Sequence, residues 1–385
     1  MRDFIGDRIK DIKPSGIRRF FDIASSIKDC ISLGVGEPDF DTPWHITEEG
    51  IYSLEKGRTF YTSNQGLLEL RKEISKWNKD RYSIDYDPKD IIVTCGGSEA
   101  IDIALRTCLN PGDEVIVIDP GYVSYAPCVE LAGGVVVPLR LKEENNFKLN
   151  KEDLERVITS KSKIIIINYP NNPTGAIMTR DDYLKIIDVI IKYDLLVISD
   201  EIYSELTYGS KHCSIASLPN MKERTIVING FSKAYSMTGW RLGYVMGPSN
   251  ILSQMLKIHQ YVIMCAPTAS QYAAIEALKN GDKDIISMKR EYDKRRKYLL
   301  KEFTRLGLPC FTPEGAFYCF PSIKRFGMSS LEFSTKLLED QHVVVVPGNA
   351  FGDSGEGFIR ISYAYSIEEL KEAIKRINNF VGNLQ

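Results

Sequence analysis

The sequence predicts an α/β protein: a mainly parallel seven-stranded sheet flanked by helices, joined to a smaller α+β domain. Three observations predict it. Seven short β-rich runs follow one another between residues 91 and 246, and most are continuously apolar rather than alternating, as strands covered on both faces require. Amphipathic helical stretches separate several of them, which is the order that builds a parallel sheet with helices on both sides. After Gly247 the pattern changes to long helices and three short strands.

The seven runs are 91–94 (IIVT), 114–118 (EVIVI), 134–139 (GVVVPL), 163–168 (KIIIIN), 195–199 (LLVIS), 225–229 (TIVIN) and 242–246 (LGYVM). Between them, 98–109 places Ile101, Ala104, Leu105 and Cys108 on one helical face, and 180–193 does the same with Tyr183, Ile186, Ile187, Ile190 and Ile191. Residues 251–280 read as helical and moderately apolar, and 285–306 as a long helix whose mixed charges make a solvated face. Short strands are expected at 316–321, 343–347 and 357–363, with a closing helix at 366–381.

Composition excludes several classes. With 49 Lys+Arg against 51 Asp+Glu, a formal charge of −2, no basic excess points to nucleic acid or an anionic membrane. No apolar run approaches the ~20 residues of a membrane-spanning helix, and the charged opening MRDFIGDRIKDIKPSG does not read as a secretory signal. The eight cysteines never stand as C-x-x-C, so reduced, mostly buried thiols in a cytoplasmic protein are expected. Four histidines, none at H-x₃-H spacing, argue against a metal hydrolase; no metal is expected.

Ligands of open α/β sheets bind beyond the carboxyl ends of the strands. There the sequence places Cys95-Gly96-Gly97-Ser98-Glu99, Asp119-Pro120-Gly121-Tyr122, Tyr169-Pro170-Asn171-Asn172-Pro173-Thr174-Gly175, Asp200-Glu201-Ile202-Tyr203 and Gly230-Phe231-Ser232-Lys233, with Arg241 eight residues on. Gly96-Gly97-Ser98 at a helix start is either a phosphate cradle or a plain N-cap. Arg241 is a second phosphate ligand or a surface ion pair. Lys233 is a Schiff-base amine if desolvation lowers its pKa, and otherwise a solvated lysine. Asp200 ends an apolar strand, so it either caps structure or faces a ring nitrogen that it keeps protonated. Together the four ask for one aromatic, phosphate-bearing cofactor.

The blocks G-E-P-D-F (36–40), Y-P-N-N-P-T-G (169–175), S-D-E-I-Y (199–203), F-S-K-A-Y-S-M-T-G-W-R-L-G-Y (231–244) and F-I-R-I-S (358–362) resemble, in order and spacing over nearly the whole chain, the fold-type I pyridoxal-phosphate enzymes. More narrowly they resemble class I aminotransferases of the prokaryotic aspartate/aromatic branch. The resemblance implies pyridoxal 5′-phosphate as cofactor, with Lys233 forming the imine and moving protons, Asp200 on the pyridine nitrogen, and Asn172 and Tyr203 on the phenolic oxygen. It implies Tyr122 stacked on the ring, and Gly97, Ser98, Ser232 and Arg241 on the phosphate, joined by Tyr61 of a partner subunit. It implies Arg360 forking the substrate α-carboxylate, helped by the Gly36 N–H and flanked by Asn172.

The implied reaction is ping-pong transfer of an amino group from an L-amino acid, aspartate or aromatic, to a 2-oxo acid such as 2-oxoglutarate. A Cβ–S lyase on the same fold is the alternative. The implied assembly is a homodimer with shared active sites, with no nucleic acid or membrane partner. Its domains would be an arm and small-domain segment at 1–44, a large cofactor-binding domain at 45–285 and the rest of the small domain at 286–385. Arg18 and Arg19, within Ser15–Phe20, lie where relatives place a segment near the pocket, and are either distal-group ligands or ordinary surface charges.

Overall fold

The computed structural model describes residues 2–10, 12, 14, 27 and 29–384; Arg18 and Arg19 fall outside them. Among the described residues, twelve strands, taken in chain order, form three sheets. They are β1 (Ile31–Ser32), β2 (Ile91–Thr94), β3 (Glu114–Asp119), β4 (Val135–Arg140), β5 (Ser162–Asn168), β6 (Leu196–Asp200), β7 (Thr225–Gly230), β8 (Gly243–Met246), β9 (Tyr318–Cys319), β10 (Val343–Val344), β11 (Val346–Pro347) and β12 (Ile359–Ser362).

The central sheet has seven strands in the order β2-β8-β7-β6-β5-β3-β4. All its pairings are parallel except those of β8, which runs antiparallel to β2 and β7. The two-residue period of a strand explains the double covering. On β5, Ile164 and Ile166 enter one core together with the helix Gly96–Cys108, while Ile165 and Ile167 enter another with Tyr183 and Ile190. One expectation fails at β4, most of whose residues are exposed or half-buried. It is one of the two edge strands, but β2 at the other edge is buried throughout, so the exposure reflects how little of the chain packs over β4 rather than edge position alone.

Two helices expected to be continuous are broken. Residues 251–280 form Ser249–Val262 and Thr268–Asn280, separated at Pro267, because proline has no N–H to continue the ladder. Residues 180–193 form Arg180–Leu184 and Ile187–Lys192. The cysteines also depart from expectation: all eight are free, but only Cys319 is fully buried and the other seven are half-buried.

Two small sheets, β1-β10 and β11-β12-β9, pack with the helices Asp282–Leu306, Ser330–Gln341 and Ile367–Asn383 around a core of their own. The last helix opens on a capping box in which Ser366 and Glu369 satisfy each other's backbone N–H groups. The strand β12 carries Arg360, and β9 carries Tyr318; both reach the edge of the central sheet.

Candidate active site

Five of the parallel-sheet strands end at one rim, and a cavity of about 370 Å³ opens there. The sheet order accounts for its position, since β7, β6 and β5 are neighbours and end in the segments carrying Lys233, Asp200 and Asn172. The antiparallel β8 brings Gly243 beside Gly230. A Cβ on Gly243 would come within 2.7 Å of the Gly96 carbonyl carbon and 2.8 Å of the Gly97 nitrogen, so only glycine lets the helix Gly96–Cys108 start directly against the sheet. Gly96 itself has φ +79, and a Cβ there would meet Arg241 Nη2 at 2.8 Å. Glycine and guanidinium thus share a space that no side chain could enter. Gly97, Ser98, Ser232 and Arg241 all line the cavity at this end, which gives it backbone N–H groups of a helix start, hydroxyls and a fixed cation.

Lys233 Nζ donates to the Gly36 carbonyl at 2.5 Å. Burial pushes its amine down to about 8, with Arg360 and Arg241 adding to the effect and Glu37 and Asp200 opposing it. Asp200 ends β6 with its carboxylate buried. Desolvation raises it to about 6, against the hydrogen bonds it accepts from the Tyr125 O–H at 2.7 Å and the Ile202 N–H at 3.2 Å. A buried acid held above its ordinary pKa and a buried amine held below its own therefore face one space.

Arg360 is 3% exposed. Its Nη1 donates to Asn172 Oδ1 at 2.9 Å and its Nη2 to the Gly34 carbonyl at 2.5 Å. The Nε has no partner among the described residues, so a buried guanidinium retains hydrogen-bonding capacity for an anion. Asn172 is positioned in turn, its N–H donating to Asn168 Oδ1 at 3.0 Å.

Of the residues singled out from sequence, Gly36, Gly97, Ser98, Tyr122, Asn172, Asp200, Tyr203, Ser232, Lys233, Arg241 and Arg360 all line this cavity. Tyr61 does not line it; it is 81% exposed, in the connection before the helix Leu68–Tyr82. At Gly36 the carbonyl accepts from Lys233. Among the lining residues that sequence reasoning did not single out are Tyr125, Tyr318, Glu37 and Thr238. Tyr125 lies edge-on to Tyr122, centroids 5.4 Å apart, and Thr238 donates to Glu37 Oε2 at 3.2 Å. The only signal for Tyr125 and Tyr318 was a hydroxyl inside an apolar segment. These groups fit pyridoxal 5′-phosphate on chemistry alone: an anion cradle, an acid for a ring N–H, an amine for its aldehyde and a separate guanidinium for a substrate carboxylate.

Comparison with known proteins gives the same direction. Residues 28–377 match the family model for aminotransferase class I and II. The chain is 48% identical to an aspartate aminotransferase of Pyrococcus abyssi, covering 97% of both proteins. It is 46% identical to the aromatic-amino-acid aminotransferase 2 of Thermococcus litoralis, again over 97% of both. Among solved structures, the aspartate aminotransferase of Thermus thermophilus with maleate superposes with a TM-score of 0.94 at 35% identity, covering 98% of this chain and 100% of that one.

Proposed function

The chain belongs to the class I and II aminotransferases, and from that premise we propose which substrates this pyridoxal-phosphate-dependent enzyme uses and which residues do the work. It moves the amino group of an L-amino acid, aspartate or an aromatic one, to a 2-oxo acid such as 2-oxoglutarate. Relatives named for aspartate and for aromatic amino acids support both donors. The observation that carries the site assignment is the convergence of the Lys233 amine, the Asp200 carboxylate and the Arg360 guanidinium on one cavity.

When bound, pyridoxal phosphate supplies an aldehyde that condenses with amines and a ring that accepts the electron pair released at the substrate Cα. The chain's residues do the rest. Gly97, Ser98, Ser232 and Arg241 would hold the phosphate, and Tyr122 would pack on the ring. Asp200 would accept from the ring N–H, and the Tyr125 hydroxyl fixes the orientation of that carboxylate. Asn172 and Tyr203 would donate to the phenolic oxygen. Arg360 forks the substrate α-carboxylate, which sets the Cα–H toward Lys233. The Lys233 amine, brought to about 8 by burial, is neutral often enough near pH 7 to take that proton on Nζ and hold it for a 1,3 transfer.

Two copies complete the site. Phe60, Tyr61 and Tyr261 are 81%, 81% and 85% exposed, and hydrogen bonds tie residues 60–64 to 264–268, a few residues beyond Tyr261: Thr268 donates to the Phe60 carbonyl and Asn64 to the Met264 carbonyl, each at 2.8 Å. An aromatic patch of this kind fits a homodimer interface, in which Tyr61 of a second copy reaches the phosphate. Residues 1–44 and 286–385 act as a small domain closing on the large domain, 45–285, in a cytoplasmic enzyme. No helix among the described residues is long and apolar enough to cross a membrane. The experiment is a rapid-mixing panel of single amino acids against the holoenzyme. Aspartate and aromatic amino acids should change the cofactor spectrum fastest without an oxo acid present; release of pyruvate and ammonia would instead mean β-elimination.

A further inference from the structure

Tyr318 is buried in the cavity wall, 1% exposed, and touches both halves of the site. Its hydroxyl lies 2.7 Å from that of Tyr203. Its ring carries the Arg360 guanidinium, 4.4 Å from the centroid, while Phe351 stacks on the same cation at 4.7 Å. The register accounts for this, because Ser362 pairs with Tyr318 and Ile361 with Cys319. Arg360 and Tyr318 are therefore diagonal neighbours on one face of the small sheet. Gly36 leaves the room the Tyr318 hydroxyl occupies; a Cβ at that position would collide with it.

We propose that Tyr318 is a positioning residue that links the carboxylate fork to the cofactor oxygen, its ring under Arg360 and its hydroxyl aiming the Tyr203 O–H. The proposal rests on the site assignment above. A phenol has one proton to donate and lone pairs to accept with. When Tyr318 donates to the Tyr203 oxygen, the Tyr203 proton is left free to point into the cavity, where the phenolic oxygen of the cofactor belongs. Accepting that bond also makes Tyr203 a stronger donor. A cation over the Tyr318 ring pulls electron density from it and strengthens the chain of donors. A carboxylate arriving at Arg360 weakens that pull, so occupancy of the fork and the Tyr203 hydrogen bond are coupled, and the coupling is reciprocal.

The test is a spectrophotometric pH titration of the cofactor band in the holoenzyme, with and without 3-phenylpropionate as a non-reacting carboxylate. Tyr318→Phe keeps the ring and removes only the donor. It should raise the midpoint by on the order of half a pH unit, about threefold in proton affinity. It should also shrink the further rise that 3-phenylpropionate causes. Tyr203→Phe should raise the midpoint too, and adding Tyr318→Phe to it should change nothing more. Tyr318→Leu, which removes the ring, should weaken 3-phenylpropionate binding severalfold, whereas Tyr318→Phe should not. An unmoved or lowered midpoint in Tyr318→Phe overturns the proposal, as does an equal rise in the Tyr203→Phe background or a loss of thermal stability with no change in midpoint. A wild-type band that survives Lys233→Ala would instead overturn the site assignment itself, whatever Tyr318 does.

Discussion

Cofactor capture by the cofactor-free chain should titrate with the Lys233 amine. Burial, then the Arg360 and Arg241 charges, bring that amine from 10.5 to about 8 against Glu37 and Asp200. At a midpoint of 8 the neutral fraction is about 1% at pH 6, ~9% at pH 7 and ~90% at pH 9, whereas an ordinary lysine would still be only ~3% neutral at pH 9. Only the neutral amine attacks an aldehyde. Mixed with pyridoxal phosphate, the chain should therefore capture it at a rate that climbs about tenfold per pH unit to pH 7 and levels off above 8.5. The assay is stopped-flow absorbance across pH 6–10, with Lys233→Ala as the blank. Glu37→Gln removes the negative neighbour and should move the plateau to lower pH; Arg360→Leu removes a positive one and should move it higher. A rate that keeps climbing through pH 10 would refute the desolvated amine. Because the unfolded chain holds this proton up to 10.5 and the folded one only to about 8, the group also makes the folded state more stable as pH rises through that window, by ~3 kcal/mol in all.

Other perturbations test the remaining parts. Asp200 is raised from 3.8 to about 6, so the folded chain binds the extra proton between those values and loses stability as pH rises through them. Asp200→Asn should make the cofactor-free chain more stable at pH 7 by up to ~3 kcal/mol and leave it unchanged at pH 3, while turnover of the holoenzyme falls by ~10²–10³; urea melts and steady-state assays read the two. Arg360→Leu should weaken every amino acid alike, by roughly 2–5 kcal/mol in kcat/KM, and an effect confined to one side-chain class would assign Arg360 to the distal group. Gly96→Ala puts a Cβ at φ +79 against Arg241 and should cost ~1–3 kcal/mol of stability, with cofactor retention on a desalting column falling in step. Tyr261→Glu should split the proposed dimer, which sedimentation equilibrium would show as a monomer.

Much of this fold was legible because strands buried on both faces cannot hide. The run at 163–168 is continuously apolar from Ile164 to Ile167, and the observed β5 differs from it by one residue. What misled was local context. The run at 134–139 has the same apolar character, yet β4 lies largely open at one edge of the sheet while β2 at the other edge is buried, and which edge is covered depends on tertiary packing rather than composition. The two broken helices carry periodic apolar residues across the break, so periodicity alone joined them.

The candidate site divides in the same way. Asp200 ends a strand, and the Gly96-Gly97-Ser98 turn, Asn172 and Lys233 each lie within four residues of one; sheet geometry sends every such segment to the same rim, so their placement was legible in the sequence. Tyr125 meets Asp200 across 75 residues, and Tyr318 meets Tyr203 across 115. Each sits in an apolar stretch where a tyrosine reads as core, and each became a site residue only when packing set its hydroxyl beside a buried polar group. Local sequence fixes where a chain can turn and bury a strand, whereas contacts between distant segments are chosen by strand order and by how the small sheet seats on the large one. Tertiary structure alone therefore decided which tyrosines hold the acid and the fork.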